Sequence, residues 1–440
     1  MMVRIGCGSG GAPDRVAPAE DLARDGALDF LCFESLAERT LAQGHVERRA
    51  GRVGFSPKLE ARFRAVLPHC ARNGTRVLTN MGGADPKGAG RLTAHLAREL
   101  GLSLKIAVIE GDDVLPLIGP DTELPETGGT VASFGRAPIA ANAYIGHEAM
   151  AEALAGGADV VIAGRVSDSS LFLAPIAHAF GVAANDWSLL ARGALVGHLL
   201  ECSTQVTGGY FADPGYKDVP GLDNLGYPLA EVASDGSAVI TKLDGTGGFV
   251  TALTVKEQLL YEIHDPAAYL TPDVSADFTT VTIDEVGRDR VRVSGATGRK
   301  RPDRLKVLVA FDGGFLAEGE IGYAGPGASD RARLAADIVR RRMMQRHGFN
   351  GELRLDLIGV ASLHASAGRV SHSQDVRLRG ALRSMDRRWA ELLLEEIESL
   401  WMGGPAGGGG FRGRITPSVI TQPTFADRTD VPCSFSWVAS

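Results

Sequence analysis

Five short apolar runs near the start of the chain each give way to glycine and polar side chains, with a helical stretch between one run and the next. The runs are Val3–Ile5, Leu28–Glu34, Thr75–Asn80, "LKIAVIEG" and Ala158–Gly164. Helices are expected over Pro18–Asp25, from Ser56 to a Gly74 cap, over Pro86–Leu100 and Asn142–Ala155, and onward from Asp168. Strand alternating with helix implies parallel pairing through crossover connections. Ligands of an open parallel sheet bind outside the carboxyl ends of its strands. Those ends therefore nominate one crevice, carrying Gly8, Ser9, Gly10 and Gly11 after the first run and Glu34 after the second. Asn80, Gly82 and Gly83 follow the third, Asp112 the fourth, and Arg165 with Asp168 the fifth.

From about residue 186 the rhythm becomes β-rich, with segments such as "AVITKL", "RVRVS" and "LKVLVAF" and fewer helices. The expected fold class is α/β: an N-terminal parallel-sheet βα-repeat domain over 1–185, then an α+β domain with a mixed sheet over 186–410. Residues 411–440 hold three prolines and little periodicity, and read as a tail.

Glycine decides how these loops are read. It supplies 56 of 440 residues, nearly twice the usual ~7%, in six clusters separated by regular structure, so a single linker does not explain it. Ordered glycine is entropically expensive, and its backbone N–H groups can converge on an anion. On that ground the run Gly407–Gly410, including Gly408 and Gly409, is expected to close on the same crevice. The net charge of −7, from 46 basic and 53 acidic residues, argues against a nucleic-acid partner. No apolar run approaches the ~18 residues of a membrane span. The N-terminus shows no secretory signal, and five scattered cysteines suggest neither disulfides nor a zinc site. A cytoplasmic protein is expected.

Several motifs admit more than one reading. Gly6, Gly8 and Gly11 with Glu34 have the dinucleotide spacing, opposed by Pro13 and Pro18 where a helix should start. "EGDD" could hold Mg²⁺ or merely solvate a loop. Arg165 could clamp a carboxylate or phosphate; Asp168 could act on protons or cap a helix. His198 lies four residues before Cys202, raising Cys202 as a nucleophile and Glu201 as an acid or base; Gly208 and Gly209 follow. Asp244, Thr246 and Gly247 form either a ligand loop or a hairpin turn.

The words "IGCGSGGAPDR", "CFESLAERT", "LTNMGGADP", "AGRVSDSSL", "GHLLECSTQVTGGYF", "TKLDGTGG" and "GPAGGGG" together resemble the acyclic terpene utilisation (AtuA-type) family, from about Ile5 to Gly410. The resemblance implies bacterial catabolism of branched acyl compounds carried as CoA thioesters. Some longer members carry a small ferredoxin-fold module after this region, so a separate partner subunit of that kind is an expectation. The first reading is a lyase or hydratase acting on an acyl-CoA or polycarboxylate. Glu34, Asp112, Asp168 or Glu201 would handle protons and the glycine loops would hold anionic groups. The alternatives are an NAD(P)-dependent oxidoreductase and a non-catalytic subunit of an acyl-CoA carboxylase system. A homo-oligomer is expected on general grounds.

Overall fold

The computed structural model describes residues 1–363 and 373–439. The chain separates into two compact units, Met1–Ala310 together with Thr421–Ser440, and Phe311–Ile420. The boundary expected near residue 186 does not coincide with this division.

The first unit is built on a ten-stranded mixed sheet. Its centre is the parallel series Met2–Gly10, Phe30–Glu34, Arg76–Thr79, Val160–Ile162 and Ile106–Glu110, in that spatial order. These are the five runs read from the sequence. Buried side chains such as Leu31, Phe33, Val77 and Ile162 face the helical residues Leu22, Phe63, Val66 and Leu96 in one core. Both faces of a parallel sheet are covered by its crossover helices, which is why these strands are nearly all apolar. On one side the sheet continues antiparallel through Pro228–Ala233, Ala238–Lys242, Arg290–Ser294 and Thr282–Gly287. Residues well past 186 therefore complete the first sheet instead of starting a new domain.

Three local expectations change. The first strand runs to Gly10, so "GCGSG" is extended strand and not a loop. Residues 142–147 are not helical: Pro138–Ala143 is a strand, paired with the strand that begins at Arg304, and the helix is confined to Glu148–Ala155. The stretch 411–440 is not an unstructured tail. Gly409–Asp427 is one long strand at the edge of its sheet, where Pro417 and Pro423 are tolerated because an edge strand has one unpaired side. Ser434–Trp437 then pairs antiparallel with Ile106–Glu110, closing the far edge of the large sheet.

In the second unit, Leu353–Ile358, Asp375–Ser384, the later part of Arg304–Ala324 and the start of Gly409–Asp427 form an antiparallel series. The helices Ala328–Arg341 and Arg387–Glu398 cover one face, burying Ala332, Val339, Leu393 and Ile397 against Ile321 and Leu378. Among the described residues, no helix is long and apolar enough to cross a membrane.

Candidate functional site

Glu34 ends the second parallel strand and is buried. Its Oε1 accepts from Leu36 N at 2.7 Å and from Asn80 Nδ2 at 3.0 Å. Asn80, at the end of the third strand, also accepts from Ser35 N at 2.8 Å, so one amide locks two neighbouring strand ends. Ser9 adds the first strand, donating from Oγ to Glu34 O at 2.5 Å. Burial pushes the Glu34 carboxyl up to about 7; Asp168 adds to the rise, while Arg165 and the two donors oppose it.

Arg165 follows the fifth strand and is fully buried. Nε donates to Val166 O at 2.8 Å, and the other nitrogens reach Leu36 O, Val166 O and the Asp168 carboxylate. Its guanidinium lies 4.5 Å from the centre of the Tyr144 ring. Burial alone would lower its pKa, but Asp168, Tyr144 and Glu34 outweigh that and keep it charged. Arg165 thus spends its donors on protein: it fixes the loops after the second and fifth strands and holds Asp168 beside the site, and is not the free clamp the sequence suggested. Asp168 opens the helix Asp168–Phe180 and remains partly exposed.

Asp112 supports the site from the fourth strand. Oδ2 accepts from Arg165 N and from Asn142 Nδ2, both at 2.9 Å. Asn142 continues to His45 Nε2 at 2.7 Å. Burial raises the Asp112 carboxyl to about 6. The carboxylates of "EGDD" do not converge: Glu110 turns to Lys87 at 2.8 Å and Ser436 at 2.5 Å, and Asp113 accepts from Leu115 N. Among the described residues, His147, Glu148 and Asp273 lie close enough to share a cation. They form an ion-pair network already, His147 Nδ1 to Asp273 at 2.8 Å with Ser170 on the other Asp273 oxygen and Arg301 on Glu148.

The helix Trp187–Glu201 delivers Glu201 and Cys202 against the first strand. A Cβ on Gly10 would lie 2.5 Å from Glu201 O and 2.4 Å from the Cys202 carbonyl carbon, so only glycine allows this approach. Gly82 plays the same part beside Ala163 O, 2.4 Å from where its Cβ would be. Gly8 lies against the Phe33 ring, and Gly83 near Gly54. Burial first, and then Glu201 and other carboxylates, push the Cys202 thiol up. His198, the base that would activate it, is bonded instead to Glu201. Cys202 therefore lacks the features of a nucleophile.

Arg62 escaped the sequence reading. It is fully buried under the first loop, donating to Ser35 Oγ at 2.5 Å and to the carbonyls of Gly11 at 3.0 Å and Ala12 at 3.4 Å. Among the described residues no carboxylate stands within ion-pair distance of it, so its charge is uncompensated by a direct partner. The signal was present: Arg62 interrupts the buried stripe Leu59, Phe63, Val66 on one helix. The dinucleotide reading of Gly6, Gly8 and Gly11 does not fit this geometry. Gly6 and Gly8 lie within the strand, the next helix begins only at Ala17, and Glu34 is engaged with Asn80.

Asp244, Thr246 and Gly247 line a separate pocket of about 600 Å³ with Asn224, Lys242 and Arg288. Lys242 Nζ donates to Thr246 O at 2.9 Å. Arg15 links the first loop to its rim, donating to Asp223 O at 2.7 Å. Gly208 and Gly209 pack on Val219 and Thr204. Gly408 and Gly409 are described within the second unit, where Gly408 lies against Tyr323 and Ile321.

No curated protein and no solved structure matches the chain. The sequence model of the acyclic terpene utilisation family protein AtuA does, over residues 3–437, so the strand ends, the antiparallel extension and the second unit all fall within the match. The chain belongs to the AtuA family of acyclic terpene utilisation.

Proposed function

We propose that the protein is an acid–base enzyme of acyclic terpene catabolism, a hydratase or C–C lyase acting on a branched acyl compound carried as a CoA thioester. The observation that carries the reading is Glu34: a buried carboxyl near neutrality, under the influence of the Arg165–Asp168 ion pair. A group that is half ionised at neutral pH both takes and returns a proton readily. Water addition beside a carbonyl, or its reversal, needs such a base, a proton donor on the other side of the reacting bond, and stabilisation of the enolate. Positive charge for the enolate comes from Arg62 beneath the first loop and Arg165 beside Glu34. The pocket lined by Lys242, Arg288 and the Asp244–Gly248 turn suits the polar carrier.

The test is turnover of branched 2-enoyl-CoA thioesters, followed by loss of the enoyl absorbance. Wild type should hydrate at least one. Glu34→Gln keeps both acceptor contacts of Oε1 and should fold, but should lose about 10²–10⁴-fold in turnover. A fully active Glu34→Gln, or a protein stabilised by NAD(H) and by no acyl-CoA, would overturn the reading.

A further inference from the structure

We infer that His198 and Glu201 form the second acid–base group of this site, with Glu201 exchanging a proton with the bound ligand through Oε2 while His198 positions it from Oε1. The inference rests on the acid–base reading above and names the proton donor that reading requires.

Both residues are on the helix Trp187–Glu201, three apart and hence on one face. His198 is buried, its ring packed 5.4 Å from Tyr269 and 6.1 Å from Phe278. Nε2 is 3.2 Å from Leu259 O. A carbonyl oxygen has no proton to give, so Nε2 keeps its hydrogen. Nδ1 is 2.9 Å from Glu201 Oε1. That contact is attractive only when one proton lies between the two atoms, as imidazolium with carboxylate or imidazole with carboxylic acid. Without it, two lone pairs face each other in a buried site. The pair is therefore a store for one proton.

The other carboxyl oxygen, Glu201 Oε2, is buried with no hydrogen-bond partner. Such an orphan is costly and asks for an explanation. A ligand donor or acceptor supplies one. A second observation points to the same place. Ser203 (φ 49°), Tyr210 (φ 61°) and Glu262 (φ 57°) account for three of the five described non-glycine residues with positive φ. Ser203 directly follows the Glu201–Cys202 turn, Glu262 acts electrostatically on Glu201, and Tyr210 acts on Tyr261 beside Glu262. Backbone strain of this kind gathers at functional sites. The charged and titratable groups around the dyad are His198, Asp168 and Glu262 acting on Glu201, with Cys202 and Tyr269 adjoining. Asp168 raises both Glu201 and Glu34 electrostatically, so the two carboxyls share one partly exposed acidic neighbour.

In the hydration direction Glu34 accepts a proton from water as its oxygen attacks. In its loaded state the dyad carries the shared Nδ1–Oε1 proton and a second proton on Oε2 of Glu201. The Oε2–H bond breaks as this second proton joins the α-carbon of the enolate, the electron pair stays on Oε2, and the shared proton stays between Nδ1 and Oε1. Dehydration runs the two transfers in reverse. After hydration the dyad holds only the shared proton, with His198 still carrying Nε2–H, and Oε2 is refilled from water once the product leaves.

The full chain labelled with ¹⁵N-histidine reports the dyad without any substrate, the His198 signals being assigned by their loss in His198→Asn. The expected result is a shared proton retained at pH 8 in wild type and a His198 that turns neutral below its usual ~6.5 in Glu201→Gln. Turnover of a branched 2-enoyl-CoA then tests the role. His198→Asn, which keeps a donor near Nδ1, should leave KM unchanged, lower kcat about 10²-fold and move the alkaline limb of the pH profile downward. A His198 that titrates as a free imidazole in both proteins would overturn the dyad. A His198→Asn profile superimposable on wild type would reduce His198 to a structural role. Wild type that turns over no branched acyl-CoA would overturn the reaction, while the ring titration still decides the dyad.

Discussion

On the proposed reading, stability and chemistry pull in opposite directions at Glu34. Folding raises its pKa to about 7, so the folded protein binds that proton more tightly than the unfolded chain does. The resulting cost is absent below the usual carboxylate range, grows as pH rises through it, and is complete above about pH 7. Glu34→Gln should therefore stabilise the protein at pH 8, on the order of 1–3 kcal/mol, and do nothing at pH 4, while removing turnover. Denaturant midpoints at the two pH values check this; a variant less stable than wild type at pH 8 would contradict it. Cys202→Ala should keep turnover close to wild type, because burial and the neighbouring carboxylates hold the thiol protonated; a dead Cys202→Ala with intact fold would restore the nucleophile. At this scale the sequence was informative about strand-end side chains, since a polar residue just after a buried strand has few places to point. It did not distinguish a residue that meets a ligand from one that braces its neighbours. Arg165 and Asp112 turned inward for that reason, and nothing in their spacing says so.

Among the elements, the strand Met2–Gly10 and the helix Trp187–Glu201 matter most, because they meet through Gly10. The atoms that a Cβ there would strike are backbone, which cannot swing aside. Gly10→Ala should cost ~1–3 kcal/mol by overpacking and should depress turnover by shifting Glu201. Gly119→Ala, where nothing lies within 4 Å, is the control and should be close to neutral. Equal melting temperatures for the two variants would argue that the contact is not tight. The element boundaries show where periodicity stops being informative. "ANAYIG" reads as the start of a helix, yet Ala143 N bonds to Asp112 O at 2.8 Å and Tyr144 N to Lys306 O at 2.9 Å. Partners 30 and more residues away override a weak local preference. The same holds for "GCGSG", where glycines that look like a loop are there to let Phe33 and the Glu201–Cys202 turn approach an extended strand.

For the molecule as a whole, alternation in the first part of the chain correctly implied a parallel sheet. It could not show that Pro228–Ala233 and Ala238–Lys242 extend that same sheet, because antiparallel strands added far along the chain look like a new domain. Nor could it show that Ser434–Trp437 closes the opposite edge, with Ser436 bonded to Glu110. An open edge beside four buried parallel strands invites aggregation. Deleting residues 431–440 should therefore lower the melting temperature and promote self-association, as measured by light scattering. An unchanged monodisperse protein would show that this strand is dispensable. The central claim is that the strand ends form a proton-transfer site for a branched acyl thioester. The most direct test is deuterium incorporation into a saturated branched acyl-CoA incubated with the protein in D₂O, read by mass spectrometry across pH. The account predicts wash-in at the α-carbon that disappears in Glu201→Gln, the variant lacking the carboxylate that exchanges the α-proton. Wash-in that is absent from wild type, or unchanged in Glu201→Gln, would contradict it.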